Sequence, residues 1–549
     1  MKIKHPYKFS NGYDKTVAYF SMEFAIDQPL KIYSGGLGFL AGSHMRSAYD
    51  LKQNMVGIGM LWKYGYYDQV RKANNELGVL NQERYYHFLE DTGIEVDVMV
   101  HGHNVKVKAF YLAPEVFGTV PMFLLSTDHP ANDHLAQTTT HKLYDNNLAT
   151  RIAQYIVLGI GGVKVLEALG HKTEIYHLNE AHALPAAFYL LEKYKTLDRL
   201  KEKLVFTTHT PVKAGNEVND PNFLNEMSFF HHLDVEQVEK LIGFENGWFN
   251  HTLAALRMSK KANAVSKKHQ QVATEMWGGF GEICRIEAVT NAQNKRYWAD
   301  ADLEKARLKA DIRAFQTRKK EMKKVLFEEV ADQTGKLLDP DHLTIVWARR
   351  FAGYKRADLI TRDMERFETL MQNAKYPVQI IWAGKPYPLD VNAISTFNHL
   401  IHMTRNYPGA AVLTGYELRL SALLKKGSDV WLNNPRIPLE ASGTSGMTAA
   451  MNGSVNLSTN DGWILEFAEH GKNSFVIPEA DLSWTEEEQD QHDFDHMLRI
   501  LEDEVLPMYY EHPEKWVELA WQATEDVDKQ FVASRMADDY YKKLYHADS

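Results

Sequence analysis

Among its 549 residues the chain has one cysteine, Cys284. A single cysteine excludes an internal disulfide framework and any cysteine-based metal cluster, and a buried small apolar side chain is its expected role. Long apolar runs are also missing, with no eighteen-residue stretch reading as a membrane span. The opening Met1-Lys2-Ile3-Lys4-His5 lacks the basic-then-apolar pattern of a secretory signal. Basic blocks of five or more residues do not occur, and 62 Lys and Arg against 72 Asp and Glu give a formal charge of −10. Such a surface disfavours nonspecific nucleic-acid binding. Repeats and low-complexity tracts are absent too. The expectation is a cytoplasmic protein with no nucleic-acid partner, no membrane and no metal.

What is present is ordinary globular material, 44% hydrophobic and 24% charged. The length exceeds what one core usually supports, so two large domains are expected. Near-continuous apolar runs at 343–348 and 378–383 read as buried parallel strands, 411–413 and 429–432 continue the series, and 174–178 and 204–207 read as strands of the first half. Segments long enough for crossover helices separate them. The charged stretch 299–336 carries Leu303, Ala306, Leu308, Ile312 and Phe315 at helical spacing and reads as one or two helices opening the second half. Both halves therefore read as doubly wound α/β, with ligands at the carboxyl ends of strands.

Three groups could hold an anion. Gly35, Gly36 and Gly38 precede a run of apolar and small residues, a glycine turn entering a helix with free backbone N–H donors. Arg350 and Lys355 follow a strand of the second half, where a guanidinium fork and an ammonium suit a phosphate. The third is the turn from Glu440 to Gly453, Glu-Ala-Ser-Gly-Thr-Ser-Gly-Met-Thr-Ala-Ala-Met-Asn-Gly, rich in N–H donors and feeding a helix. No pair of carboxylates stands out, which disfavours an ordinary glycoside hydrolase.

That last stretch closely resembles a segment of the α-glucan (glycogen, starch, maltodextrin) phosphorylases. Other likenesses follow in the order that family uses: Tyr19 to Phe24, Ser34 to Gly38, His177 to His182, Thr207 to Pro211, the segment around Asn263, Arg349 to Arg356, and Trp431 to Pro435. They cover roughly residues 15–520 and are nearest the short, divergent prokaryotic branch. The resemblance implies two Rossmann-like domains facing across a cleft, the GT-B type, with C-terminal helices crossing back to the first. The expected boundaries are 1–290, 291–520 and a crossing segment 521–549.

The resemblance also implies roles. His209, Arg350 and Lys355 are the catalytic candidates. Gly35, Gly36, Gly38, Asn263, Glu440, Ala441, Ser442 and Gly443 would meet the sugar, and Arg350, Lys355, Thr444 and Ser445 would bind phosphate. The family's lysine that carries pyridoxal phosphate is Thr448 here, and a threonine has no amine for a Schiff base. Asn263-Ala264 and Thr290-Asn291-Ala292-Gln293-Asn294 are further departures. The expected activity is a retaining hexosyl, by resemblance glucosyl, transfer between an oligosaccharide or glucan and orthophosphate or a sugar 1-phosphate, without a covalent cofactor. Phosphate, or the diphosphate of a nucleotide, would fill the cofactor's place. Two alternatives stay open: a retaining transferase using a nucleotide sugar, and a noncatalytic glucan-binding protein. A homodimer is common in the resembling family.

Overall fold

The computed structural model describes residues 3–546. They divide into two compact units, one made of 3–66, 81–291 and 533–546, the other of 67–80 and 292–532.

The first unit is built on a nine-stranded sheet. In spatial order its strands are Arg285–Ala288, Lys261–Ala264, Leu204–Thr207, Ile175–Asn179, Val17–Phe20, Met55–Met60, Met122–Ser126, His103–Leu112 and Glu90–Val100. The first seven pair in parallel. The centre is buried on both faces, so Val17–Phe20 and Met55–Met60 are apolar or small throughout. The last two are antiparallel, and His103–Leu112 alternates buried with half-buried positions because one face is open to water.

One feature of this unit runs against expectation. The helical run Leu148–Ala168 is apolar enough, by length and composition, to cross a membrane. Its most apolar window is 72% buried inside the unit, which makes it a core helix, interrupted by a π-turn at Val157–Gly161. Close approach explains the glycine there: a Cβ on Gly159 would lie 2.7 Å from the carbonyl oxygen of Ala183.

The second unit carries a six-stranded all-parallel sheet in the order Ala410–Leu413, Val378–Ala383, Leu343–Ala348, Val430–Asn433, Val455–Thr459, Ser474–Ile477. The charged stretch at its start forms two helices, Ala301–Leu308 and Ile312–Thr334. Leu303, Ala306 and Phe315 are buried as expected, while Leu308 and Ile312 are exposed, because the break near Ala310 resets the helical phase.

Two boundaries differ from the sequence reading. The hairpin Asp68–Arg71/Leu77–Leu80 belongs to the second unit, where Gln69 donates to the Gly384 carbonyl and the Leu77 N–H donates to Asn398. The helix Pro513–Gln530 does too, because Trp516, Leu519 and Ala520 join that unit's core. The return to the first unit therefore begins at Ala533, not 521. There the helix Ala533–Tyr540 packs on Gly36–Asp50, and the Tyr545 hydroxyl lies 2.6 Å from Nδ1 of His177.

Candidate functional site

In the first unit the carboxyl ends of Ile175–Asn179 and Leu204–Thr207 deliver Glu180 and His209 to a cavity of about 250 Å³. His182, Glu217, His251 and Leu37 also line it. Glu180 sits at φ +65°, a conformation unusual outside glycine, and accepts hydrogen bonds from the backbone N–H of His209 and the hydroxyl of Thr210. Burial pushes its carboxyl up to about 7, although the donors of His209, Ala181 and Thr210 pull the other way.

The histidines show the opposite shift for the same cause. Burial lowers His209 to about 3 and His182 and His251 to about 4, so all three are neutral near pH 7. His209 Nε2 lies 2.7 Å from Oδ1 of Asn179, so the tautomer protonated at Nε2 donates there. His251 Nε2 stands at the same distance from Asn219 Oδ1. Nδ1 of His182 is buried without a partner among the described residues. Glu217 accepts from Tyr155 and Arg151. The cavity thus presents a carboxyl holding its proton near neutrality and neutral imidazoles, groups that suit sugar hydroxyls.

The other sequence candidates of this unit lie differently. Asn263 is fully buried, accepting from Thr207 at 2.6 Å and donating to the Ala264 carbonyl. Thr207 in turn lies 2.6 Å from Nε2 of His177, which leads to Tyr545. Asn263 is thus an interior network residue and is not among the lining of this cavity. Gly35 and Gly38 surround Glu23, which accepts from the N–H of Ser34 at 2.6 Å and of Gly35 at 3.0 Å, and from the Tyr144 hydroxyl at 2.7 Å. A Cβ on Gly38 would lie 2.6 Å from that carboxylate. The glycine turn therefore encloses an internal carboxyl group, that of Glu23. Gly36 is exposed at the first position of the helix that follows.

In the second unit the carboxyl end of Leu343–Ala348 opens into the basic run. Arg349 turns inward: its guanidinium donates to the Leu432 carbonyl at 2.6 Å and lies 5.3 Å from the Trp347 ring centroid. Burial lowers it to about 10. Gly384 allows the neighbouring strand end to pass, since a Cβ there would fall 1.9 Å from the Arg349 carbonyl oxygen. Arg350 is exposed. Lys355 forms an ion pair of 2.6 Å with Glu440, both side chains largely buried. Arg356 is buried and structural, paired with Asp490 and Asp493.

The turn after Glu440 is held by residues the sequence reading left out. Asp461 accepts from the Glu440 N–H, and the Trp463 N–H donates to the Ser442 carbonyl. Gly462, at φ +61°, is required because a Cβ would lie 2.3 Å from that carbonyl oxygen. Ala441 and Ser442 are buried, whereas Gly443, Thr444 and Ser445 are half-buried. Thr448 is fully buried and its hydroxyl donates to the Ser445 carbonyl. It offers no amine. The signal that could have found Glu23 was present, within the motif Tyr19 to Phe24; for Glu217 and Asp461 no local pattern exists.

The family profile described as carbohydrate phosphorylase matches residues 287–477, and that of the starch synthase catalytic domain matches 29–285. An uncharacterised protein of Methanocaldococcus jannaschii is 48% identical over 97% of this chain and 100% of its own length. Maltodextrin phosphorylase of Thermococcus litoralis is 33% identical, covering 98% of this chain and 72% of the relative. Glycogen phosphorylase of Aquifex aeolicus is 32% identical over 98% and 87%. With two parallel-sheet α/β units and likeness over nearly its whole length, the chain belongs to the α-glucan phosphorylase family of glycosyltransferases.

Proposed function

We propose that this protein is a retaining glucosyl transferase that joins or cleaves an oligosaccharide or glucan with orthophosphate or a sugar 1-phosphate, and that it works without covalently bound pyridoxal phosphate. The observation that carries this reading is the cavity lined by Glu180, His182, His209 and His251 at strand ends, together with the maltodextrin and glycogen phosphorylases among the relatives. A site made of hydrogen-bonding groups discriminates sugars strongly, because an unmatched hydroxyl leaves buried groups unpaired.

Each residue has a definable task in this reading. His209, neutral and bonded to Asn179, faces the sugar with a fixed ring. Glu180 keeps a proton near neutrality and can donate it in a hydrogen bond to a sugar oxygen. Arg350 and Lys355 stabilise charge on the entering or leaving phosphate, with Glu440 shared between the Lys355 ammonium and a sugar hydroxyl. Because Thr448 cannot form an imine, no step passes through pyridoxal phosphate. A second phosphate takes its place. A homodimer, common in the resembling family, is the assembly this reading takes.

The starch synthase match over 29–285 favours a second reading, a nucleotide-sugar donor whose diphosphate fills the same anion site. The deciding assay offers maltooligosaccharide with orthophosphate, the reverse reaction with glucose 1-phosphate, and nucleotide sugars in parallel. Anomeric configuration is read by NMR. Phosphorolysis with retention supports the first reading and turnover with nucleotide sugars alone supports the second. Glucan binding with no turnover in any arm makes the protein a noncatalytic binder.

A further inference from the structure

Away from these residues, in the first unit, the helix Pro185–Tyr194 and the loop 228–233 bring Glu192, His231 and His232 together. Their ligand atoms all lie within 4.8 Å of one another. Oε2 of Glu192 is 2.9 Å from Nε2 of His231 and 3.9 Å from Nε2 of His232. For a tetrahedral zinc site with metal–ligand bonds of about 2.0–2.1 Å, ligand atoms stand about 3.3 Å apart. The two separations bracket that value, so a small side-chain adjustment would place all three on one ion.

The backbone is arranged to make this cluster. Consecutive side chains usually diverge, yet the His231 and His232 ring centroids are 3.8 Å apart. What brings them together is His231 at φ +59°, with Ser228 at +70° earlier in the same turn. Left-handed backbone at a non-glycine residue costs about 1 kcal/mol or more, and it persists only where surrounding structure imposes it. Phe229 and Phe230, both fully buried, anchor the loop just before it. Tyr189, one helical turn before Glu192, packs its ring 5.2 Å from that of His231. The His231 side chain is 11% exposed and so pre-oriented, while His232 at 73% and Glu192 at 56% leave the cluster open to solvent and an entering ion.

We propose that Glu192, His231 and His232 form a binding site for one divalent transition cation of the zinc class, which clips the loop 228–233 to the helix Pro185–Tyr194. Two imidazoles and one carboxylate give a three-ligand set with an open fourth position for water. Imidazole donors disfavour calcium and magnesium, which take oxygen ligands. Burial and the neighbouring His232 lower the pKa of His231, keeping its nitrogen available as a ligand. A mostly apolar hollow beside the cluster, walled by Phe188, Leu191, Leu233 and Leu241, leaves the open position a sheltered side.

The test uses the full-length chain without an affinity tag, stripped with chelator and titrated with zinc by calorimetry, with cobalt(II) absorption as a second readout. Wild type should bind one equivalent per chain and give the intense visible bands of a low-coordinate cobalt site. His232→Ala and Glu192→Gln alter exposed groups, and their metal-free forms should melt as the metal-free wild type does. Each should bind at least about tenfold more weakly, a difference of about 1.4 kcal/mol. Zinc should raise the melting temperature of wild type and not of His232→Ala. Absence of stoichiometric binding, or binding and cobalt spectra unchanged by both substitutions, would overturn the proposal.

Discussion

Glu180→Gln tests the electrostatics of the cavity most directly. A glutamate whose folded value is about 7 against an ordinary 4.5 binds a proton in the folded state over a window where the unfolded chain has released it. Its stabilising contribution is fully present below pH 4.5 and lost as pH rises through 7. At about 1.4 kcal/mol per unit the full window amounts to about 3 kcal/mol. Part of the carboxyl faces the cavity, and solvent there reduces the swing to the order of 1–3 kcal/mol. Glutamine keeps an acceptor for the His209 and Thr210 donors and carries no charge to desolvate.

The histidines tilt the wild-type curve the other way. His182, His209 and His251 are depressed to about 4, 3 and 4, so their contribution is present above pH 6.5 and lost as pH falls. Burial is the first cause in each, and the charges that act on them are of other residues than Glu180. Subtracting wild type from Glu180→Gln therefore isolates the carboxyl. Hydrogen exchange followed by mass spectrometry, on peptides covering 175–185 and 204–211, reads the opening free energy of this region locally. The variant should gain on wild type by about 1–3 kcal/mol between pH 5 and pH 8. A difference that stays flat across that range would refute the desolvated carboxyl.

Other outcomes follow from the same structure. Arg350→Ala should leave stability unchanged, because the side chain is exposed, and lower kcat/KM with phosphate by about 2–4 kcal/mol of transition-state stabilisation. Lys355→Ala should show a similar kinetic loss and also melt earlier, since it strands the Glu440 carboxylate in a largely buried position; Lys355→Ala/Glu440→Gln should recover the melting temperature without the activity. Intact mass after borohydride reduction should show no pyridoxyl-phosphate adduct, and an adduct mapped to the half-buried Lys319 or the buried Lys425 would show that another lysine takes the role of the one absent at 448. Thr448→Lys should take up pyridoxal phosphate, seen by absorbance, without gaining phosphorolysis; full activity would make Ala264, Ala292 and Gln293 neutral departures.

How much of this was legible in the sequence depends on the range of the interaction. The strands Leu343–Ala348 and Val378–Ala383 are buried on both faces, so composition alone reveals them. The hairpin 68–80 carries no such mark of destination: its place is decided by Gln69 and Leu77 reaching partners more than three hundred residues away. The same holds at the C-terminus. Pro513–Gln530 and Ala533–Tyr540 are both amphipathic helices, and only what Trp516 and Tyr540 dock against separates them. Asn263 shows the converse: its motif names the residue, while its bonds to Thr207 and the Ala264 carbonyl emerge only from the fold.

The two adjacent arginines show where local physics could have gone further. Side chains alternate along an extended backbone, so Trp347 and Arg349 share a side while Arg350 takes the other. The strand ending at Ala348 buries its residues, and the inward position continues that burial. Arg349 accordingly stacks on Trp347 and donates to Leu432, with its charge already committed to the interior. Arg350, on the other side, is exposed. Removing a guanidinium committed to an interior carbonyl leaves that buried acceptor unpaired. Truncating the buried Arg349 should therefore show in the melting curve, whereas truncating the exposed Arg350 should show chiefly in kcat/KM under the proposed phosphate role.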